Sequence, residues 1–172
     1  LTRVLTLTTG ADLRVRNEAG ERVVLLVNGG TAQQVPGTWS STSELLADRL
    51  AATYPAWVFA ELRYRVKSWK AFESCLADAT AALDVLRARR RRPVLLVGFS
   101  MGGGVSIAAA GHPTVEAVLG LAPWIPDALS IAPLHGKRFD VVHGAWDRYL
   151  PGIPGVSPAF SRRGFDRIQA AG

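Results

Sequence analysis

The chain has 172 residues, 48% of them hydrophobic and 20% charged, and carries a net charge of +6. That is the composition of one ordinary globular core, which excludes disordered and collagen-like chains, and the longest apolar runs, such as Val23–Val27 and Val94–Val97, fall far short of the roughly 20 residues that cross a bilayer. With one cysteine, Cys75, an internal disulfide and a multi-cysteine metal site are excluded too, and with no leader in view the expectation is a cytoplasmic protein without a membrane partner.

Short apolar runs alternate with helical patterns, which predicts parallel strands joined by crossover helices. Val4–Leu7 and Leu13–Arg16 read as two opening strands around the turn Thr9-Gly10-Ala11-Asp12, and Val23–Val27 as a buried strand. After the loop Asn28–Ser40, Ser41 and Glu44 make a capping-box pattern for a helix running to about Thr53. Trp57–Leu62 is the next strand. From about Lys70 to Arg90 the spacing of Phe72, Leu76, Ala79, Leu83 and Leu86 describes a helix with one apolar face, stopped by Pro93. Cys75 falls within it and reads as a packing residue.

The basic run Arg87, Arg89, Arg90, Arg91, Arg92 closes that helix, where cations favour the negative end of the macrodipole. It lacks the aromatic interleaving of a nucleic-acid surface, so no nucleic-acid partner is expected. Val94–Val97 then forms the central strand, Met101–Ala110 a small-residue helix, Ala117–Leu121 and Phe139–His143 two further strands, and about Pro158 to Ala171 a last helix. Nothing marks a linker or a repeat, so residues 1–172 are read as a single domain.

The informative segment is Val94-Leu95-Leu96-Val97-Gly98-Phe99-Ser100-Met101-Gly102, a buried strand running through Gly-x-Ser-x-Gly into a helix. This is the pattern of a nucleophile elbow. The serine is held in a tight, strained turn whose neighbours leave no room for side chains, and its hydroxyl projects at a helix N-terminus, where partial positive charge favours an oxyanion. A phosphate-binding loop would need Lys-Ser/Thr after the glycines, which is lacking, and the spacing does not match a dinucleotide fingerprint. Acyl chemistry also needs two backbone donors. The residue after the nucleophile, Met101, supplies one; the other is assigned to Gly30 in Asn28-Gly29-Gly30, which follows the strand Val23–Val27.

In the same layout the acid lies on a loop after a later strand, which selects Asp147 in His143-Gly144-Ala145-Trp146-Asp147, with Asp127 in reserve. The order serine, acid, histidine calls for a histidine beyond Asp147, and none stands between Arg148 and Gly172. His112 lies at the far end of the helix that follows Ser100, roughly 18 Å away at 1.5 Å per residue. His143 reads as a strand-end residue supporting the Asp147 loop, and His135 sits in a short connection. The simplest expectation is a fragment cut at both ends, missing its last strand and its general base, and inert alone.

At these residues the sequence resembles the α/β-hydrolase superfamily, and most of all small lidless bacterial serine hydrolases of the dienelactone-hydrolase-like or carboxylesterase-like kind. The resemblance runs from about Val23 and is carried by Leu26–Thr31, Gly98–Gly102, Leu121-Ala122-Pro123-Trp124 and His143-Gly144 with Asp147; Asn28 stands where many relatives have histidine. It implies a three-layer α/β fold with helices on both faces of a mostly parallel, mixed eight-stranded sheet, of which this chain holds about seven strands. It also implies no metal and no organic cofactor. The short connection from Leu121 to Phe139 leaves no room for a helical lid, so an open site is expected, with Trp39, Trp69, Trp124 and Trp146 on its edge and the first three as walls of an acyl pocket. The function expected is hydrolysis of a small-molecule ester or thioester through an acyl-enzyme. The alternatives are acyl transfer on the same residues and a non-catalytic binding protein of this fold.

Overall fold

The computed structural model describes residues 2–90, 93–147 and 155–172. Seven strands form one sheet: β1 (Thr2–Thr6), β2 (Asp12–Arg16), β3 (Arg22–Val27), β5 (Trp57–Arg63), β7 (Val94–Phe99), β8 (Val115–Leu121) and β9 (Arg138–Val142). Their order is β1-β2-β5-β3-β7-β8-β9. The pairs β1/β2 and β2/β5 are antiparallel and the others parallel, so β3, β5, β7, β8 and β9 all point their carboxyl ends to one edge. Four helices accompany them: α1 (Ser41–Thr53), α2 (Phe72–Arg90), α3 (Met101–Ala109) and α4 (Pro158–Ala170).

Alternation along the strands sends side chains to two cores. Val23, Leu25 and Val27 of β3 join Val58, Ala60, Leu96 and Val118 beneath α2 and α3, whose Ala79, Leu83, Met101 and Ile107 are buried there, and Ile168 of α4 joins them. Val24 and Leu26 point the other way, with Phe59 and Val97, against Ala47, Leu46 and Leu50 of α1. This gives the expected three layers, with α1 on one face and α2, α3 and α4 on the other.

The α1 face is also held by charge. Glu61, fully buried on β5, pairs with Arg14 Nε at 2.9 Å and with Arg16, and these arginines reach α1 through Glu44 (2.8 Å) and Asp48 (2.7 Å). A buried carboxylate is tolerable only with such partners.

Several boundaries differ from the sequence reading. α1 is capped by Ser40, whose side chain accepts from the Ser43 N–H, and not by a Ser41–Glu44 box. Glu44 instead serves Arg14, a long-range ion contact that overrides the local pattern. β1 stops at Thr6, because Leu7 already closes the turn by donating to the Ala11 carbonyl at 2.7 Å. A two-stranded antiparallel ribbon of β4 (Val35–Pro36) and β6 (Val66–Lys67), and a 3₁₀ turn at Trp69–Ala71 before α2, were not anticipated. Arg91 and Arg92 of the basic run lie outside the described residues. Cys75 is fully buried and its Sγ donates to the Val66 carbonyl; burial pushes its thiol above the ordinary value, as suits a packing residue. Among the described residues no helix is long and apolar enough to cross a membrane.

Leu96 is fully buried in the middle of β7, an interior strand of the sheet. Leu96→Ala is predicted to cost about 2–5 kcal/mol of unfolding free energy, measured by denaturant titration, and a loss under about 1 kcal/mol would show that the core has been misplaced.

Candidate active site

β7 ends at Phe99 and α3 begins at Met101, so Ser100 alone makes the turn between them. Its backbone sits at φ 54°, ψ −119°, which a side chain disfavours. Surrounding contacts enforce it: the Ser100 N–H donates to the Leu121 carbonyl (3.0 Å), and the Ser100 carbonyl accepts from Gly103 N–H (2.9 Å) and Trp124 N–H (2.9 Å). Ser100 is half-buried, and its side chain does not cap α3.

Close backbone approach explains the flanking glycines. A Cβ at Gly102 would stand 2.1 Å from the Val27 carbonyl oxygen and 2.5 Å from that of Asn28; one at Gly98 would stand 2.3 Å from the Gly102 oxygen. The end of β3 therefore lies directly on the start of α3, and it delivers the Asn28–Thr31 loop to the elbow. Gly29 faces the serine, where a Cβ would be 3.5 Å from Ser100 Cβ. Gly30 covers Met101, where a Cβ would meet Sδ at 2.3 Å.

The donors are arranged in sequence. Met101 opens α3, so its N–H is among those a helix leaves without an intrahelical acceptor. The Gly29 N–H is taken by Asn28 Oδ1 at 2.7 Å, while that of Gly30 has no acceptor among the described residues. A cleft of about 280 Å³ beside Ser100 is walled by Trp69, Trp124, Gly155 and Val156. Phe72 backs Trp124, with ring centroids 6.0 Å apart. Gly155 and Val156 carried no sequence signal, since they belong to no motif. A larger groove of about 1050 Å³, among Asp84, Arg87, Pro113, Glu116 and Lys137, opens at the opposite, amino-terminal edge of the sheet and is lined by neither serine nor cysteine.

The other expected residues separate. Trp39 does not wall the Ser100 cleft: its ring lies against the guanidinium groups of Arg14 (4.4 Å) and Arg63 (5.2 Å), which draw it over the β2/β5 side of the sheet. Trp146 is 83% exposed. Asp147 lies on the loop after β9, with its carboxylate 3.3 Å from His143 Nε2. Asp127 is exposed, and its carbonyl accepts from Arg167.

Among the described residues no hydrogen bond joins a histidine ring to Ser100. His143 has one nitrogen at Asp147 and the other, Nδ1, 2.9 Å from Ser161 Oγ, which itself donates to the Pro123 carbonyl. His112 lies between Thr114 Oγ1 (2.6 Å) and Asp84 Oδ1 (3.1 Å), past the far end of α3. His135 is exposed in the turn before β9. Among the described residues no group of three or more His, Cys, Asp or Glu side chains is placed to hold a metal ion.

The sequence profile of the Alpha/beta hydrolase family matches residues 24–171. The chain belongs to the α/β hydrolase family. Solved α/β hydrolases share its architecture. An α/β serine hydrolase without lid from Xanthomonas campestris superposes with a TM-score of 0.70 at 18% identity, over 97% of this chain and 78% of that one. An α/β hydrolase enzyme from a Medee basin deep-sea metagenome library gives 0.71 at 21%, over 99% and 77%. A Pyrococcus furiosus esterase gives 0.69 at 13%, over 99% and 77%. At these identities the likeness is one of fold. No curated protein matches the sequence.

The α/β hydrolase elbow carries a stability signature apart from activity. Glycine relieves the positive φ at position 100, whereas alanine does not, so Ser100→Gly is predicted to unfold about 1 kcal/mol later than Ser100→Ala in denaturant. Equal stabilities would mean that the turn is unstrained.

Proposed function

We propose that this α/β hydrolase cleaves a carboxylic ester or thioester through an acyl-enzyme formed on Ser100. The observation that carries the reading is the Ser100 turn: a strained serine between a buried strand and a helix, its hydroxyl not used as a helix cap, beside a loop whose Gly30 N–H has no acceptor among the described residues. Strain of this kind persists where the surroundings over-determine it, and it clusters at sites of chemistry.

In this reading Ser100 Oγ attacks the carbonyl carbon while an imidazole takes the hydroxyl proton. The carbonyl electrons move onto oxygen, where the N–H groups of Met101 and Gly30 hold the charge. Collapse of the intermediate expels the alcohol or thiol, which leaves with the proton from the imidazole. Water, deprotonated by the same imidazole, then attacks the acyl-serine and releases the acid. Asp147 orients the imidazole and stabilises its cationic form. Trp69 and Trp124 wall the acyl side of the cleft, which favours an uncharged acyl group. The reading draws its imidazole from outside residues 1–172, because His112 is held by Thr114 and Asp84, His143 by Ser161 through Nδ1 with Asp147 beside Nε2, and His135 stands in the turn before β9.

That same arrangement favours a second reading, a non-catalytic member of the fold that binds a small ligand at the Ser100 cleft. Turnover decides between them. For the protein expressed from its natural reading frame, Ser100→Ala is predicted to lower kcat for p-nitrophenyl butyrate by at least about a thousandfold; unchanged turnover would refute the nucleophile. Residues 1–172 alone are predicted to show no turnover above the Ser100→Ala background, and Ser100-dependent turnover by them would remove the need for an outside imidazole.

A further inference from the structure

We infer that Tyr64 is a positioning residue for the oxyanion-binding loop, fixing the Gly30 N–H through the backbone of Asn28; the inference rests on the hydrolase reading above. Tyr64 follows β5 and is fully buried, and its hydroxyl donates to the Asn28 carbonyl oxygen at 2.9 Å. That carbonyl belongs to the same peptide unit as the Gly29 N–H, which donates to Asn28 Oδ1 at 2.7 Å. The peptide between residues 28 and 29 is therefore tied at both its oxygen and its nitrogen. Asn28 Nδ2 in turn donates to the Thr38 carbonyl at 3.3 Å, so the carboxamide is itself held.

The next anchor lies two residues on. The Thr31 carbonyl accepts from Ser68 Oγ (3.0 Å) and from the Trp69 N–H (3.3 Å), and Thr31 Oγ1 donates to the Lys67 carbonyl (2.7 Å). Between these anchors stand Gly29 and Gly30, two residues without a Cβ to restrict them, and the peptide that joins them carries the proposed donor. Free glycines would let that peptide rotate its N–H away from the oxyanion. The segment Tyr64–Trp69 grips the loop on either side of them.

Burial pushes the Tyr64 phenol well above its ordinary value, with the charges of Cys75 and Asp78 adding to it, so the group stays protonated and remains a donor. Its backbone is packed as tightly: a Cβ at Gly37 would stand 1.6 Å from the Tyr64 carbonyl oxygen. Tyr64 cannot reach substrate from there, and its effect on chemistry passes through the loop.

The test uses the protein from its natural reading frame, with p-nitrophenyl butyrate as substrate. Tyr64→Phe keeps the ring and removes only the hydroxyl. The expected result is a kcat lowered about ten- to a hundredfold, with KM within about twofold and cooperative thermal unfolding retained, because a misplaced donor weakens the transition state more than the ground state. If Tyr64→Phe fails to fold, Ser68→Ala, which removes one of the three bonds of the Thr31 anchor at the other end of the same grip, is read in its place and is expected to lower kcat in the same direction. An unchanged kcat, or a rise in KM at constant kcat, would overturn the inference. Ser100→Ala run alongside separates the two claims: if it abolishes turnover while Tyr64→Phe does not affect it, the hydrolase reading stands and the positioning role falls, whereas turnover that survives Ser100→Ala removes both.

Discussion

The structure depends on one close approach: the carboxyl end of β3 resting directly on the first turn of α3. The carbonyl oxygens of Val27 and Asn28 lie where a side chain on Gly102 would have to be, so strand and helix meet backbone to backbone. That contact forces the tight turn at Ser100, because a wider loop would lift α3 off the sheet. It also sets the distance between the elbow and the Asn28–Thr31 loop, which places Gly29 beside Ser100 and Gly30 over Met101. The strained φ of Ser100 and the nearness of a backbone donor are two results of one packing constraint.

The surrounding layers keep that contact in place. The buried core under α2 and α3 fixes β3 and β7 from one side, and Ala47 with its neighbours on α1 fixes them from the other. Trp124 and Gly103 tie the Ser100 carbonyl, and Leu121 ties its N–H, so the end of β8, the segment after it and the first turn of α3 all hold the turn. On the acid side, His143 joins the Asp147 loop to Ser161 of α4, and Ser161 reaches Pro123, next to Trp124. The candidate acid thus lies within ion-pair distance of a histidine that is hydrogen-bonded, through Ser161, to the segment beside the elbow.

Much of this was legible in the sequence. Short apolar runs located every strand of the large sheet, and Gly98-x-Ser100-x-Gly102 between a strand and a helix located the turn: Gly98 answers a contact within the turn itself and Gly102 the approach of β3. What the sequence hid was set by distant partners. Glu44 looked like half of a capping box until Arg14, from the far side of the α1 layer, claimed it. Trp39 lay on the right edge in chain order, yet the direction of its ring depends on Arg14 and Arg63. The strands of the β4/β6 ribbon, two residues each, are too short for any periodicity to show. Tyr64 belongs to no motif, and only the fold brings its hydroxyl to the Asn28 carbonyl.

The central claim is that Ser100 is an activated nucleophile, and covalent capture tests it most directly. The protein expressed from its natural reading frame is treated with a fluorophosphonate, digested, and mapped by peptide mass spectrometry. The account predicts a single adduct, on the peptide containing Ser100, formed in the wild type and lost in Ser100→Ala. An adduct on another serine, or none under conditions that label a known serine esterase, would contradict it.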